Sequence, residues 1–418
     1  VANVEHYEGV RTEDHHRSGP LAGLRVIDLT TSYAGPTASM YLADLGADVI
    51  KVERPGRGDD TRSWGPPFSA GGVSAWFASA NRNKRSVVID LRDRRGLAVL
   101  RRLIGSADVF MENLNPAKLQ ALGIDHPTLR AEFPALIYCA MSGFGLDGPD
   151  STLPGYDLAA QARSGLMSVT GAKGGAPQRV STALSDVITG MCAALAVSAA
   201  VVRQRQDHQG ELIDVSLLDA DLAVMAPRIA AYLAGEDEPA PSGGTDSVLA
   251  VYQAFPTADR DLAVAIGNDP MWQRFCTVVG LPDLGADPEL KDNAGRRRHR
   301  DRLVAQVTAK LAERTAAEWQ KMLGDAGIPC SLVQTLAEVV ADPQVVARGC
   351  LLPVPGTGGV MHSVHSPFRF ASIPEPRNSP FPALGAHTRE VLGEFGYAAA
   401  DIDSLLASGA VHEGRASE

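Results

Sequence analysis

Between Leu24 and Glu53 the chain reads LRVIDLTTSYAGPTASMYLADLGADVIKVE. LRVIDLT is a continuous apolar run of buried-strand length, and Gly35–Pro36 breaks it. TASMYLADLG then carries helical spacing, and ADVIKVE is a second apolar run. Two strands with one helix between them cannot pair as a hairpin, so they lie parallel with the helix crossing over one sheet face. A parallel sheet is covered on both faces, which already excludes all-α and plain sandwich architectures.

The alternation continues. RSVVIDL, a helix at Arg94–Ile104, ADVFMEN, a short helix near Leu119 and ALIYCAMS (Ala135–Ser142) extend a doubly wound α/β fold. Leu184–Arg205 (LSDVITGMCAALAVSAAVVRQR) is small and apolar from Val187 to Val202 without a proline, the pattern of a helix buried on most sides. ELIDVSLLDADLAVMA reads as a strand running into another helix. Residues 233–246 (LAGEDEPAPSGGTD) are acidic and rich in Pro and Gly, as a linker is. Beyond them VLAVYQAF and DLAVAIG read as strands, followed by a helix at Trp272 and helices at His299–Glu313 and Ala316–Asp325. GIPCSLVQ is expected to return to the first domain. The expected layout is a polar arm at 1–20, a large domain at 21–232, a linker and glycine loop at 233–246, a small domain at 247–330, and a return to the large domain at 331–418.

A net charge of −10 argues against nucleic acid as a partner, and no polybasic patch suggests a membrane surface. Five scattered cysteines without a CxxC pair point to a reducing compartment rather than a disulfide or zinc framework. The first twenty residues lack an apolar core, and Val187–Val202 is short of a spanning length, so a cytoplasmic location is expected. His362 and His365 form an HxxH pair with no third ligand evident nearby, so no metal is expected. Gly143, Gly145 and Gly148 spell GxGxxG after a strand, but Pro149 and Pro154 follow where the dinucleotide motif needs a helix. Neither nicotinamide nor flavin is expected.

Asp186 is the lone ionisable side chain at the mouth of the long apolar helix. Composition leaves two readings open: an N-cap whose carboxylate accepts a backbone amide, or a catalytic carboxylate kept ionised where little water competes.

The motifs taken together resemble one family. LRVIDLTTSYAGPTASMYLADLGADVIKVERPGRGD, NRNKRSVVIDL, ADVFMENLNPAKLQALG, SGFGLDGP, PGYDLAAQARSG, ALSDVITGMCAAL, GIPC, SPFRF and LGAHTREVL occur in the order seen in the class III CoA-transferases. That family holds the formyl-CoA and carnitine CoA-transferases and the related α-methylacyl-CoA racemases. The resemblance implies a Rossmann-like large domain built from both chain ends, a smaller inserted α+β domain, and an interlocked homodimer. It implies CoA, bound as an acyl-CoA, and a carboxylic acid as the substrates. The family's catalytic carboxylate falls on Asp186, which would carry mixed-anhydride and aspartyl-CoA thioester intermediates.

By the same resemblance the CoA contacts fall on Tyr33, Ala34, Arg54, Ile89, Asp90, Leu91, Arg92, Asn113, Leu114, Asn115, Met141, Ser142, Gly143 and Phe144. Tyr156 and a glycine lid at Gly243–Gly244 would lie over the substrate. The racemase branch carries histidine where this chain has Tyr156, and a phenol is a poor general base at neutral pH. A racemase-like or CoA-shuttling enzyme, and a silent CoA-binding dimer, stand as alternatives. Ala121 and Ser142 replace basic residues of the family, so Lys84, Arg85, Arg92 or Lys118 would have to supply the missing charge. Arg179, Arg228 and Arg260 are open candidates for a second substrate carboxylate.

Overall fold

The computed structural model describes residues 19–69, 72–354, 361–373 and 378–414. The polar arm expected at residues 1–20 lies outside them except for Gly19 and Pro20. The chain divides into two compact units, one of Val1–Ser164, Ser181–Pro227 and Ala347–Glu418, the other of Gly165–Val180 and Arg228–Val346.

Six strands build the sheet of the first unit: β1 (Arg25–Asp28), β2 (Asp48–Glu53), β3 (Lys84–Ile89), β4 (Val109–Glu112), β5 (Ile137–Ser142) and β6 (Leu212–Ser216). Their order is β3-β2-β1-β4-β5-β6, parallel throughout, and the short strand Val411–His412 joins the β3 edge antiparallel. Successive side chains on a strand point to opposite faces. Ile27, Ile50 and Phe110 accordingly enter one core, while Val26, Val49 and Val109 enter the other. Burial on both faces is why these strands read as unbroken apolar runs.

The strand order reverses at β1, with β2 on one side and β4 on the other. Chains leaving the carboxyl ends of β1 and β4 therefore turn to opposite faces of the sheet and open a crevice between them. The helix Leu184–Asp207 packs against the helix Ala34–Asp44 on the β4 side of that crevice. Gly190 permits the close approach, because a Cβ there would sit 2.9 Å from both the Ala34 carbonyl oxygen and the Thr37 Cβ.

That long helix differs from the sequence expectation in two ways. Its 24 residues are long and apolar enough to cross a membrane by composition alone. In this chain only one face is covered: Ala193, Val197 and Val201 enter the core, while Leu195 and Val202 are 72% and 61% exposed. Small residues on every side gave the appearance of all-round burial.

In the second unit, Tyr252–Pro256, Asp261–Ala265 and Cys330–Leu332 form an antiparallel sheet. Helices Asp269–Val279, Arg300–Leu311 and Ala316–Asp325 cover it around Trp272 and Trp319. Cys330–Leu332, expected to return to the first domain, pairs with Asp261–Ala265 instead.

Candidate active site

The crevice at the carboxyl ends of β1, β4 and β5 holds a cavity of about 560 Å³. Loops after these three strands shape it, and each is pinned by its own hydrogen bonds. The Asn113 side chain accepts from Thr31 N at 3.0 Å and donates to Thr31 O at 2.8 Å, clasping the loop after β4 to the loop after β1. Glu112 accepts from Leu114 N at 2.8 Å and from the Tyr138 hydroxyl at 3.3 Å, and its burial pushes the carboxyl up to about 7. Gly143 and Gly155 meet backbone to backbone, since a Cβ on Gly143 would lie 2.5 Å from the Gly155 Cα.

A buried ionic group lies beneath the first loop. Asp28 accepts from Thr30 N and from the Ser39 hydroxyl, and Lys84 Nζ approaches it at 3.3 Å. Lys51 Nζ bonds Thr30 O at 2.9 Å and Asp59 at 2.7 Å, and Asp59 also receives Ser32 N. Burial alone would raise the Asp28 carboxyl, but Lys51 and Lys84 hold it below its usual range. Burial draws Lys84 itself down to about 7. The strands thus fix Thr30–Ser32 from below by charge-assisted bonds.

Asp186 borders this cavity in the first turn of Leu184–Asp207. It is not the N-cap: the helix begins earlier, with Ala183 at the cap position and no side-chain cap bond. Nor do amides hold it ionised. Burial first, and then the neighbouring Asp157 and Asp221 carboxylates, push it up to about 7. Asp157 accepts Ser185 N at 2.9 Å and Gln161 Nε2 at 2.8 Å, and Asp221 accepts the Ser185 hydroxyl at 2.8 Å. Thr189, one turn further along the helix, also lines the cavity, and its buried hydroxyl has no hydrogen-bond partner among the described residues.

Of the residues singled out from sequence, the cavity gathers Ala34, Asn113, Leu114, Asn115, Met141, Ser142, Gly143, Tyr156 and Asp186. It does not gather the others. Tyr33 turns to the Ser79 hydroxyl at 2.9 Å and packs edge-on against Trp76. Arg54 pairs with Asp60, which does line the cavity. Ile89 is buried in β3, and Asp90 and Leu91 follow it away from the lining. Arg92 is 86% exposed and pairs with Asp90 at 2.8 Å, and Phe144 lies beneath the Arg163 guanidinium. Gly243 and Gly244 belong to the second unit, where Gly243 N bonds Gly171 O at 2.9 Å.

Three of the four proposed replacement cations are otherwise engaged: Lys84 is buried on Asp28, Arg85 binds Asp48, Glu390 and Glu394, and Arg92 pairs with Asp90. Arg260 is likewise taken up, by Glu338 at 2.5 Å. No lysine or arginine appears among the described residues that line the cavity, whereas Asp60, Glu112, Asp125 and Asp186 do. Among the described residues no group of three or more His, Cys, Asp or Glu side chains is gathered as a metal site. Sequence reasoning missed Glu112, Thr189 and Asp221. For Thr189 the signal was available, because a residue three after Asp186 shares its helix face.

A sequence model of CoA-transferase family III matches residues 21–388. The chain is 38% identical to succinyl-CoA:glutarate CoA-transferase of Mus musculus, over 94% of this chain and 91% of that protein. It is 38% identical to succinate–glutarate CoA-transferase of Agrobacterium fabrum, over 92% and 97%. With acetyl-CoA:oxalate CoA-transferase of Acetobacter aceti the identity is 36%, over 87% and 92%. A CAIB/BAIF family protein from Brucella suis superposes with a TM-score of 0.79 at 35% identity, covering 90% of this chain and 99% of that one. Rv3272 from Mycobacterium tuberculosis superposes with a TM-score of 0.78 at 30% identity, covering 89% and 99%.

Proposed function

The chain belongs to CoA-transferase family III, and we propose that it moves CoA from an acyl-CoA to a carboxylic acid through covalent intermediates on Asp186. The observation that carries this reading is a half-buried carboxylate at a helix start, bordering a cavity at the switch point of a doubly wound sheet.

An Asp186 oxygen attacks the thioester carbonyl carbon, the C–S bond breaks, and its electron pair leaves on the CoA sulfur. The thiolate then attacks the aspartyl carbonyl of the mixed anhydride and frees the donor acid as its carboxylate. The acceptor carboxylate attacks the aspartyl-CoA thioester, releasing the thiolate again. That thiolate takes the acyl carbon of the new anhydride and frees Asp186. No water and no net proton enters, so the site's task is to exclude solvent while activated esters exist. The buried Thr189 hydroxyl is free to donate to the carbonyl oxygen as charge builds on it.

A cavity lined by carboxyls and amides suits the uncharged pantetheine arm and the thioester. The phosphates then meet cations outside it: Arg54 and Arg92 on the surface, with Lys118 as the remaining replacement. The acids are short dicarboxylates, by analogy with the glutarate and oxalate named for the relatives. Leu195 and Val202 form part of a homodimer interface, and the free cysteines accord with a reducing, cytoplasmic setting.

The test is intact mass after incubation with a panel of acyl-CoAs, then hydroxylamine or borohydride trapping and peptide mapping. A CoA thioester on the Asp186 peptide, lost in Asp186→Ala, is the expected result. Its absence with every donor, together with α-deuterium uptake into a branched acyl-CoA, would sink the transferase reading in favour of a racemase.

A further inference from the structure

Asp221, on the helix Leu217–Leu233, is wholly buried, and its two carboxylate oxygens have different surroundings. Oδ2 accepts the Ser185 hydroxyl at 2.8 Å and the Ser164 hydroxyl at 3.4 Å. Oδ1 is sealed from solvent and has no hydrogen-bond partner among the described residues. Such an orphaned oxygen is costly to bury, more so when charged, and an amide or an apolar side chain would avoid the charge. What Asp221 touches is the residue next to Asp186. Ser185 gives its hydroxyl to Asp221 and its backbone N–H to Asp157 at 2.9 Å. Two carboxylates from two other helices therefore grip the residue preceding the nucleophile.

We propose that Asp221 is a positioning residue for CoA transfer: it locks Ser185 and holds negative charge beside Asp186, so that Asp186 is less stable free than esterified. The proposal rests on Asp186 as the covalent carrier. When an Asp186 oxygen bonds the thioester carbon and the C–S bond breaks, the negative charge leaves Asp186 with the sulfur. The free carboxylate is repelled by its neighbours, whereas the anhydride and the thioester are uncharged at Asp186 and are not. Like charge held on the residue next to Asp186 in a poorly solvated site thus favours both intermediates over resting enzyme.

The groups facing this cluster are Asp157 from the helix Asp157–Arg163 and Asp186 from the long helix. The Tyr33 phenol faces Asp186 from the loop after β1, and Asp219 on the same helix as Asp221 is tied to the Ser216 hydroxyl. Among the described residues no lysine or arginine forms an ion pair with Asp186 or Asp221. The raised carboxyl of Asp186, which owes part of its shift to Asp221, agrees with the geometry.

The experiment compares the pH dependence of kcat/KM, and the fraction of enzyme trapped as the CoA thioester at fixed substrate ratio, in wild type, Asp221→Asn and Asp221→Glu. Asparagine keeps an acceptor for Ser185 but removes the charge. The acid limb should move down by about one pH unit and the trapped fraction fall about tenfold. The wild-type and Asp221→Asn profiles then cross, the variant being relatively faster below pH 6 and slower at pH 8, and Asp221→Glu moves the limb back.

Ser185→Ala is the second variant. It strips Asp221 of its main donor and favours its protonated form, so the limb should shift in the same direction. Activity reduced by one factor at every pH, or an unmoved limb with an unchanged trapped fraction, would overturn the role of Asp221. Wild type that traps nothing on Asp186 would refute the covalent reading itself, a separate and recognisable result.

Discussion

At the scale of single residues, Asp186 is where function opposes stability. In an unfolded chain its carboxyl ionises near 3.8, but in the fold it is pushed up to about 7. Below about pH 4 both states carry the proton and the group contributes nothing. Between pH 4 and 7 the folded state keeps a proton that the unfolded state has lost, so stability falls as pH rises, and the loss is complete above 7. Asp186→Asn should therefore unfold at the same temperature as wild type near pH 4 and gain roughly 2–4 kcal/mol at pH 8. Calorimetry at the two pH values checks this, and a gain of equal size at both would show that the carboxyl is not perturbed. Thr189 makes the complementary case. Thr189→Val is nearly isosteric and removes a buried hydroxyl that has no partner, so its melting temperature should hold or rise. If that hydroxyl donates to the reacting carbonyl, kcat should fall by about tenfold or more with KM little changed. An unchanged kcat would leave Thr189 as packing alone.

At the scale of elements, the site depends on close backbone contacts that no side chain can replace. Gly143 leaves β5 against Gly155, the residue before Tyr156, and a methyl on Gly143 would meet backbone that cannot simply rotate away. Gly143→Ala should cost about 1–3 kcal/mol and raise KM for the acyl-CoA, because the loop bordering the cavity has to move. Denaturation midpoints and steady-state kinetics measured together test both parts, and normal values for both would mean that the loop relaxes freely. Elements were read from sequence most accurately where burial is two-sided. ADVIKVE contains β2 and ALIYCAMS contains β5, because an unbroken apolar run bounded by turn residues has few other uses. Ala316–Asp325 matched at both ends, since Thr315 and Glu318 form a capping box. Short edge strands were illegible: Val411–His412 has two residues, and Cys330–Leu332 was assigned to the wrong neighbour. The contiguous motifs Asn113–Asn115 and Met141–Gly143, singled out in the sequence, do border the cavity. The Asp157–Ser185–Asp221 group was not legible, because its contacts join residues 28 and 36 positions apart on three helices, and no local period records which helices meet. The pairing of Arg54 with Asp60 and of Arg92 with Asp90 was not legible either, since a motif position does not record which carboxylate an arginine meets.

At the scale of the whole molecule, the outer face of the long helix has no occupant in the single chain. Met191, Leu195 and Val202 stand exposed on Leu184–Asp207, and Leu222 and Val224 on the helix that follows β6. Scattered exposed apolar residues are ordinary, but Met191, Leu195 and Val202 share one face of the helix that carries Asp186, and such a stripe has reason to be covered. The helix is also one that composition alone would allow in a lipid bilayer, so two coverings compete. Its polar end separates them: Arg203 pairs with Asp207 and Glu211 just beyond Val202, leaving both signs of charge at the edge of the patch. Mixed charge at the rim of an apolar patch is what a protein interface carries, and it offers no excess of cations to an anionic lipid surface. A second copy of the chain is therefore the expected cover. Leu195→Glu combined with Val202→Glu places two carboxylates at the centre of that surface, where neither can be hydrated if a partner lies over it. Light scattering behind gel filtration should show a dimer for wild type and a monomer, or aggregates from exposed core, for the double variant. A double variant that stays dimeric and active would mean that the interface lies elsewhere on the chain.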